Sequence, residues 1–106
     1  MNIPGLSEED LSDMKLAFAK VPEVEKAVLF GSRAKGKAKR GSDVDLALWG
    51  KSLDRSALLD LSVLLNQEGH LPYQFDLVDF ETVDNQALRE HVERVGIVVY
   101  EKQDSP

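Results

Sequence analysis

The sequence predicts one α+β domain with α/β-like layering, in which a small mixed β-sheet carries helices packed on one face. Three observations lead there. Short runs rich in β-branched and aromatic residues alternate with longer stretches whose apolar residues recur at helical spacing. Glycine, proline or helix-capping residues mark nearly every junction between them. The 106 residues fill one ordinary domain and are too few for two, so positions 1–106 are read as a single unit.

The first helix follows Ser7-Glu8-Glu9-Asp10, with Ser7 as N-cap, acidic residues in the first turn, and Leu11, Met14, Phe18 and Val21 on one face. Pro22 ends it. Lys26 to Phe30 forms the first strand, and Asp43 to Trp49 forms the second. Gly50 and Ser52 loosen the chain before a helix from about Asp54 to Gln67, whose apolar stripe is formed by residues 57, 58, 61, 64 and 65; Gly69 is its stop. Phe75 to Phe80 reads as the third strand. Asp84 or Asn85 then caps a helix that turns Leu88, Val92 and Val95 inward, and Gly96 ends it. Ile97-Val98-Val99-Tyr100 closes the sheet as an edge strand beside the polar tail. Trp49 and Phe80 are expected to help bury the sheet against helices or a partner.

The stretch from Val28 to Trp49, VLFGSRAKGKAKRGSDVDLALW, concentrates the chemistry. Gly31 allows a sharp turn after an apolar strand because it has no Cβ. Ser32, at the start of a short helical turn running roughly from Arg33 to Lys37, offers a hydroxyl and neighbouring amides to phosphate oxygens. Beyond Gly41, strand alternation sends Asp43 and Asp45 to one face and Val44, Leu46 and Leu48 to the other. Two adjacent carboxylates repel and lose hydration, so they call for a divalent cation; Mg2+, with oxygen ligands at about 2.0–2.1 Å, suits such a pair. On the third strand Asp76 and Asp79 are both candidate site residues, but their opposite parity keeps them off a common face. Alternation with Phe75 and Leu77 turns Asp76 out of the core, beside Asp43 and Asp45.

Composition narrows the partners. Thirteen Lys and Arg against nineteen Asp and Glu give a net charge of −6, which opposes binding to long nucleic acid. A nucleotide is still admissible, because Arg33, Lys35, Lys37, Lys39 and Arg40 cluster beside the glycine turn. The absence of cysteine rules out disulfides and thiolate chemistry and makes cytoplasmic residence the expectation. No run approaches the roughly 20 apolar residues needed to cross a bilayer, and the N-terminus lacks a signal-peptide pattern. His70 and His91 have no ligand-like spacing and read as ordinary surface or loop residues.

Gly31-Ser32-Arg33-Ala34-Lys35-Gly36 followed by Ser42-Asp43-Val44-Asp45-Leu46 resembles the signature of the DNA polymerase β-like nucleotidyltransferase superfamily, a Gly-Ser turn with Asp-x-Asp on the next strand. Within it the chain most resembles the minimal nucleotidyltransferases, small prokaryotic proteins usually partnered with a HEPN-type helical protein in toxin–antitoxin pairs. The resemblance runs from the first helix to the closing strand. It implies a polymerase β-like fold and transfer of a nucleoside monophosphate from a nucleoside triphosphate, with pyrophosphate leaving. It also implies that Asp43, Asp45 and Asp76 are the catalytic and metal-holding residues, with two Mg2+ ions. Gly31, Ser32, Arg33, Lys35 and Ser42 are implied to seat the nucleotide, with Arg33 neutralising charge on the transferring or leaving group. Lys35 stands where the family often has arginine, which keeps the charge but loses the planar fork for bidentate phosphate contact.

The donor that the resemblance implies is ATP. The implied acceptor is a side-chain hydroxyl, notably tyrosine, of the HEPN-type toxin, with the chain acting as antitoxin in a hetero-oligomer. Two alternatives stay open on the sequence. One is a binding subunit with the same fold and little catalysis of its own. The other is a nucleotidyltransferase for small molecules such as aminoglycosides, which would need a second subunit to hold the acceptor.

Overall fold

The computed structural model describes residues 3, 5–36, 43–69 and 71–102. The elements follow in the order α1 (Glu8–Ala19), β1 (Lys26–Phe30), α2 (Gly31–Ala34), β2 (Val44–Trp49), α3 (Arg55–Asn66), β3 (Phe75–Asp79), α4 (Gln86–Val95) and β4 (Ile97–Glu101). Ser7 caps α1 through a reciprocal box: its hydroxyl accepts from the Asp10 amide at 3.0 Å, and the Asp10 carboxylate accepts from the Ser7 amide at 3.1 Å. Asp54 and Asn85 cap α3 and α4 in the simpler way. Several boundaries differ from the sequence reading: β2 starts at Val44 rather than Asp43, and β3 ends at Asp79 rather than Phe80. The first helix stops at Ala19, although Val21 is still buried, and the helical turn after β1 starts at Gly31 itself and closes at Ala34.

The sheet has the order β3-β2-β1-β4. Strand β1 runs antiparallel to both β2 and β4, whereas β2 and β3 are parallel, so the sheet is mixed as expected. Parallel pairing needs a crossover, and α3 supplies it. β4 lies at an edge, with a register shift between Ala27 and Val28 on its partner strand.

One face of the sheet holds the main core. Ala27, Leu29, Val44, Leu46, Leu48, Phe75 and Val99 meet Leu11, Met14 and Phe18 of α1 and Ala57, Leu61 and Leu65 of α3. These are the residues that strand and helix periodicity assign inward. The reverse face is covered over its middle by α4, where Val92, with Leu88 against it, joins Val28, Phe30, Ala47 and Phe80 in a smaller cluster. Trp49 stacks on Phe80 at 4.4 Å between ring centroids. Lys26 lies over the Trp49 ring and Arg89 over the Phe80 ring, at 4.6 and 4.3 Å. Arg89 also donates to the carbonyls of Phe80 and Val83, tying α4 to the end of β3.

The Trp49–Phe80 pair therefore closes one end of the reverse face. Because a stacked, partly buried aromatic contributes both area and ring contact, Trp49→Ala is expected to cost about 2–3 kcal/mol of stability, below the range for a fully buried tryptophan. Urea unfolding checks this, and an unchanged midpoint would contradict the assignment.

Candidate active site

The uncovered end of the reverse face is acidic. Asp43 stands immediately before β2, and Asp45 shares a parity with Ala47, so both project opposite to the buried Val44, Leu46 and Leu48. Parallel pairing sets Asp76 of β3 directly across from Asp45. Neighbouring strands are about 4.8 Å apart, which brings those two carboxylates onto adjacent positions of one face. Asp43 and Asp76 are close enough for a side-chain hydrogen bond. The three aspartates singled out in the sequence thus come together.

Their electrostatics follow from that crowding. Asp45 is raised above its ordinary pKa first by burial and then by the charges of Asp76 and Asp43. Asp76 is raised by desolvation, by the Asp43 charge and by the hydrogen bond to Asp43. Among the described residues no group of three or more acidic, histidine or cysteine side chains has closed to the spacing of a formed metal cage. The aspartates share a face and repel one another. Asp79, the other sequence candidate, plays a separate part, because its carboxylate accepts from the Glu81 amide at 3.1 Å and holds the turn after β3.

Gly31 follows β1 at a φ of +78°, and a Cβ there would collide with the Asp45 carboxylate. The glycine therefore lets the turn lie directly against an acidic side chain. Ser32 is half-buried on this turn, and Lys35, its C-cap, is exposed. Arg33 goes elsewhere. It is only 3% exposed, with its guanidinium 4.8 Å from the centre of the Tyr73 ring and pressed on Gly5. The Tyr73 hydroxyl lies 3.0 Å from the Gly5 carbonyl and 2.9 Å from the Asp10 carboxylate. Burial and the Asp10 interaction raise the Tyr73 pKa, while Arg33 opposes them. This placement differs from an arginine reaching for phosphate; it joins the turn to the N-terminal segment and to the approach to β3. Ser42, Lys37, Lys39, Arg40 and His70 lie outside the described residues.

Sequence reasoning missed two residues that set this geometry. Asn66, at the end of α3, pairs its side-chain amide with both backbone groups of Phe75, accepting at 2.8 Å and donating at 3.2 Å. It takes the place of a neighbouring strand just before Asp76. His91, on α4, accepts a hydrogen bond at Nε2 from the Gly31 amide at 3.1 Å and meets Phe30 edge-on at 5.9 Å. Its pKa is lowered by burial and by the charges of Lys35 and Arg94, which keeps the ring neutral and able to accept. Neither contact has a local signature, since the partners are 9 and 60 positions apart.

The carboxylate cluster carries a stability prediction whose sign can be worked out. A folded pKa above the unfolded value means that the native state holds its proton more tightly, so stability falls as pH rises from about 3.8 through the raised values of Asp45 and Asp76. Asp45→Asn removes one of the repelling charges. It is expected to raise the melting temperature at pH 7 in the absence of divalent cations, with the gain shrinking towards pH 4. Added Mg2+ should stabilise the wild type more than the variant. A melting temperature lowered equally at both pH values would contradict this.

The chain matches the family model for polymerase beta nucleotidyltransferases over residues 12–105. It is 41% identical over 75 residues to the probable protein adenylyltransferase MntA of Haemophilus influenzae, an alignment covering 70% of this chain and 64% of that protein. The match thus spans somewhat less than two thirds of the relative's length. The fold superposes on a toxin–antitoxin crystal structure with AMP-PNP at a TM-score of 0.73 and 26% identity, covering 89% of this chain and 75% of that one. A toxin–antitoxin MntA-HpeT mutant structure gives a TM-score of 0.68 and 25% identity, over 92% and 76% of the two chains. With the family model spanning most of its length and the paired aspartates beside the glycine turn, the chain belongs to the polymerase beta nucleotidyltransferase family.

Proposed function

We propose that this protein transfers AMP from ATP to a hydroxyl, a tyrosine of a HEPN-type helical toxin, and that it acts as the antitoxin by doing so. The observation that carries the reading is the meeting of Asp43, Asp45 and Asp76 on one sheet face against the Gly31 turn. Support for the donor and the partner comes from similarity to a probable protein adenylyltransferase and to toxin–antitoxin structures, one of them with AMP-PNP. Among the described residues no helix is long and apolar enough to cross a membrane.

The donor set fits magnesium. Three hard carboxylate oxygen donors, two of them with pKa values raised by burial and by neighbouring charge, suit an ion that takes oxygen ligands. Asp43, Asp45 and Asp76 would hold it, and when bound it would neutralise phosphate charge and ease deprotonation of the attacking hydroxyl. The chain's own residues do the rest. The turn at Gly31 and Ser32 places the triphosphate beside the carboxylates, and Lys35 adds positive charge from the exposed end of α2. Asp76, on the outermost strand, is open to an acceptor approaching from the sheet edge.

In the transfer, the acceptor oxygen bonds to the α-phosphorus as the bond to the bridging α–β oxygen breaks. Pyrophosphate carries away the released charge. The hydroxyl proton passes to the Asp76 carboxylate, which faces the incoming acceptor from the exposed edge strand. The acidic end of the sheet face is open among the described residues, so a protein partner completes the cleft and holds its own hydroxyl there.

Intact-mass spectrometry of the protein mixed with its helical partner, ATP and Mg2+ tests this. The partner is expected to gain one or more AMP masses, and Asp43→Asn should abolish the gain while leaving the circular-dichroism spectrum and the partner complex intact. A partner left unmodified with each of the four nucleoside triphosphates would contradict the transferase reading. Complex formation without modification would instead favour a binding subunit.

A further inference from the structure

We infer that His91 is a positioning residue for the nucleotide turn: by accepting the Gly31 amide hydrogen from the far side, it locks the turn against Asp45. The inference rests on the nucleotidyltransferase reading of the site and goes beyond it, since it assigns a role on α4, outside both the glycine turn and the carboxylates.

The geometry is specific. The Gly31 amide donates to His91 Nε2 at 3.1 Å across 60 positions of sequence. On its other side the same glycine lies so close to the Asp45 carboxylate that no side chain could be accommodated. Gly31 is thus held between a histidine and an aspartate. Its φ of +78° has no side-chain packing of its own to maintain it, so the conformation depends on what its backbone touches. The ring is itself fixed. It sits edge-on to Phe30, the last residue of β1, and its helix is anchored on the sheet by Val92. The arrangement also removes the Gly31 amide from any phosphate-binding set, which leaves the rest of the turn to meet the triphosphate.

Only a neutral imidazole can accept at Nε2. Partial burial disfavours the protonated form, and so do Lys35 at the end of α2 and Arg94 on α4. Burial and these two cations therefore favour the acceptor state.

The test uses the whole chain at pH 7.5, with AMP-PNP and Mg2+ as the probe. In the 15N-labelled wild type, a coupling across the hydrogen bond between the Gly31 amide nitrogen and His91 Nε2 is expected. Calorimetry should show AMP-PNP binding weakened about fivefold to tenfold in His91→Leu, the scale of one lost hydrogen bond. His91→Gln, which keeps an acceptor, should recover most of that affinity and the downfield Gly31 amide resonance. A wild type lacking the coupling would overturn the proposal even if the variants fail to fold. So would a folded His91→Leu that binds AMP-PNP as tightly as the wild type, or a His91→Gln no better than His91→Leu. A wild type that shows the coupling but binds no AMP-PNP would point instead to failure of the nucleotidyltransferase reading, and would overturn this role with it.

Discussion

Repulsion among three carboxylates is the constraint around which this domain is built. Asp43, Asp45 and Asp76 occupy one end of a sheet face, and desolvation together with their mutual proximity raises the proton affinity of Asp45 and Asp76. In a chain without a use for them, such a cluster would be relieved by rotating the side chains into water or by replacing one of them. Here the backbone fixes their origins: parallel pairing of β2 and β3 sets Asp45 across from Asp76, and the buried Val44 and Leu46 hold the strand in that register, while Asp43 and Asp76 stay exposed to solvent. The strain is electrostatic and local, and positive charge brought to this face would relieve the part of it that comes from repulsion.

The remaining structure serves that juxtaposition from three sides. Beneath it, α1 and α3 bury the opposite face of the sheet, so a slip of one residue in β2 would expose Leu46 and Leu48 and bury charge. At the edge, Asn66 satisfies both backbone groups of Phe75 and keeps the start of β3 ordered without a further strand. Beside the carboxylates, the Gly31 turn is held by His91 on α4 and by the stack of Arg33 on Tyr73, which leads into β3.

Much of this was legible in the sequence because it depends on short range. Ser7, Asp54 and Asn85 announce their helices through bonds that span three residues, and strand alternation is enough to place Asp43, Asp45 and Asp76 outward. Parity kept Asp79 off the face that Asp76 occupies, and its carboxylate holds a turn. What was not legible depends on tertiary placement. An arginine one residue beyond the Gly-Ser pair reads as a phosphate contact, but whether it turns towards the ligand or behind the turn is decided by Tyr73 and Gly5, far along the chain in either direction. His91 looked ordinary for the same reason: its partner is a backbone amide 60 positions away, and amides leave no mark in the sequence.

The central claim is best tested by a crystal structure of the chain grown with AMP-PNP and Mn2+, with data collected at the manganese absorption edge. An anomalous peak is expected in contact with the carboxylates of residues 43, 45 and 76 and with the triphosphate, and the phosphates should lie along the turn at residues 31 and 32. Manganese bound away from these side chains, or a nucleotide seated elsewhere on the domain, would contradict it.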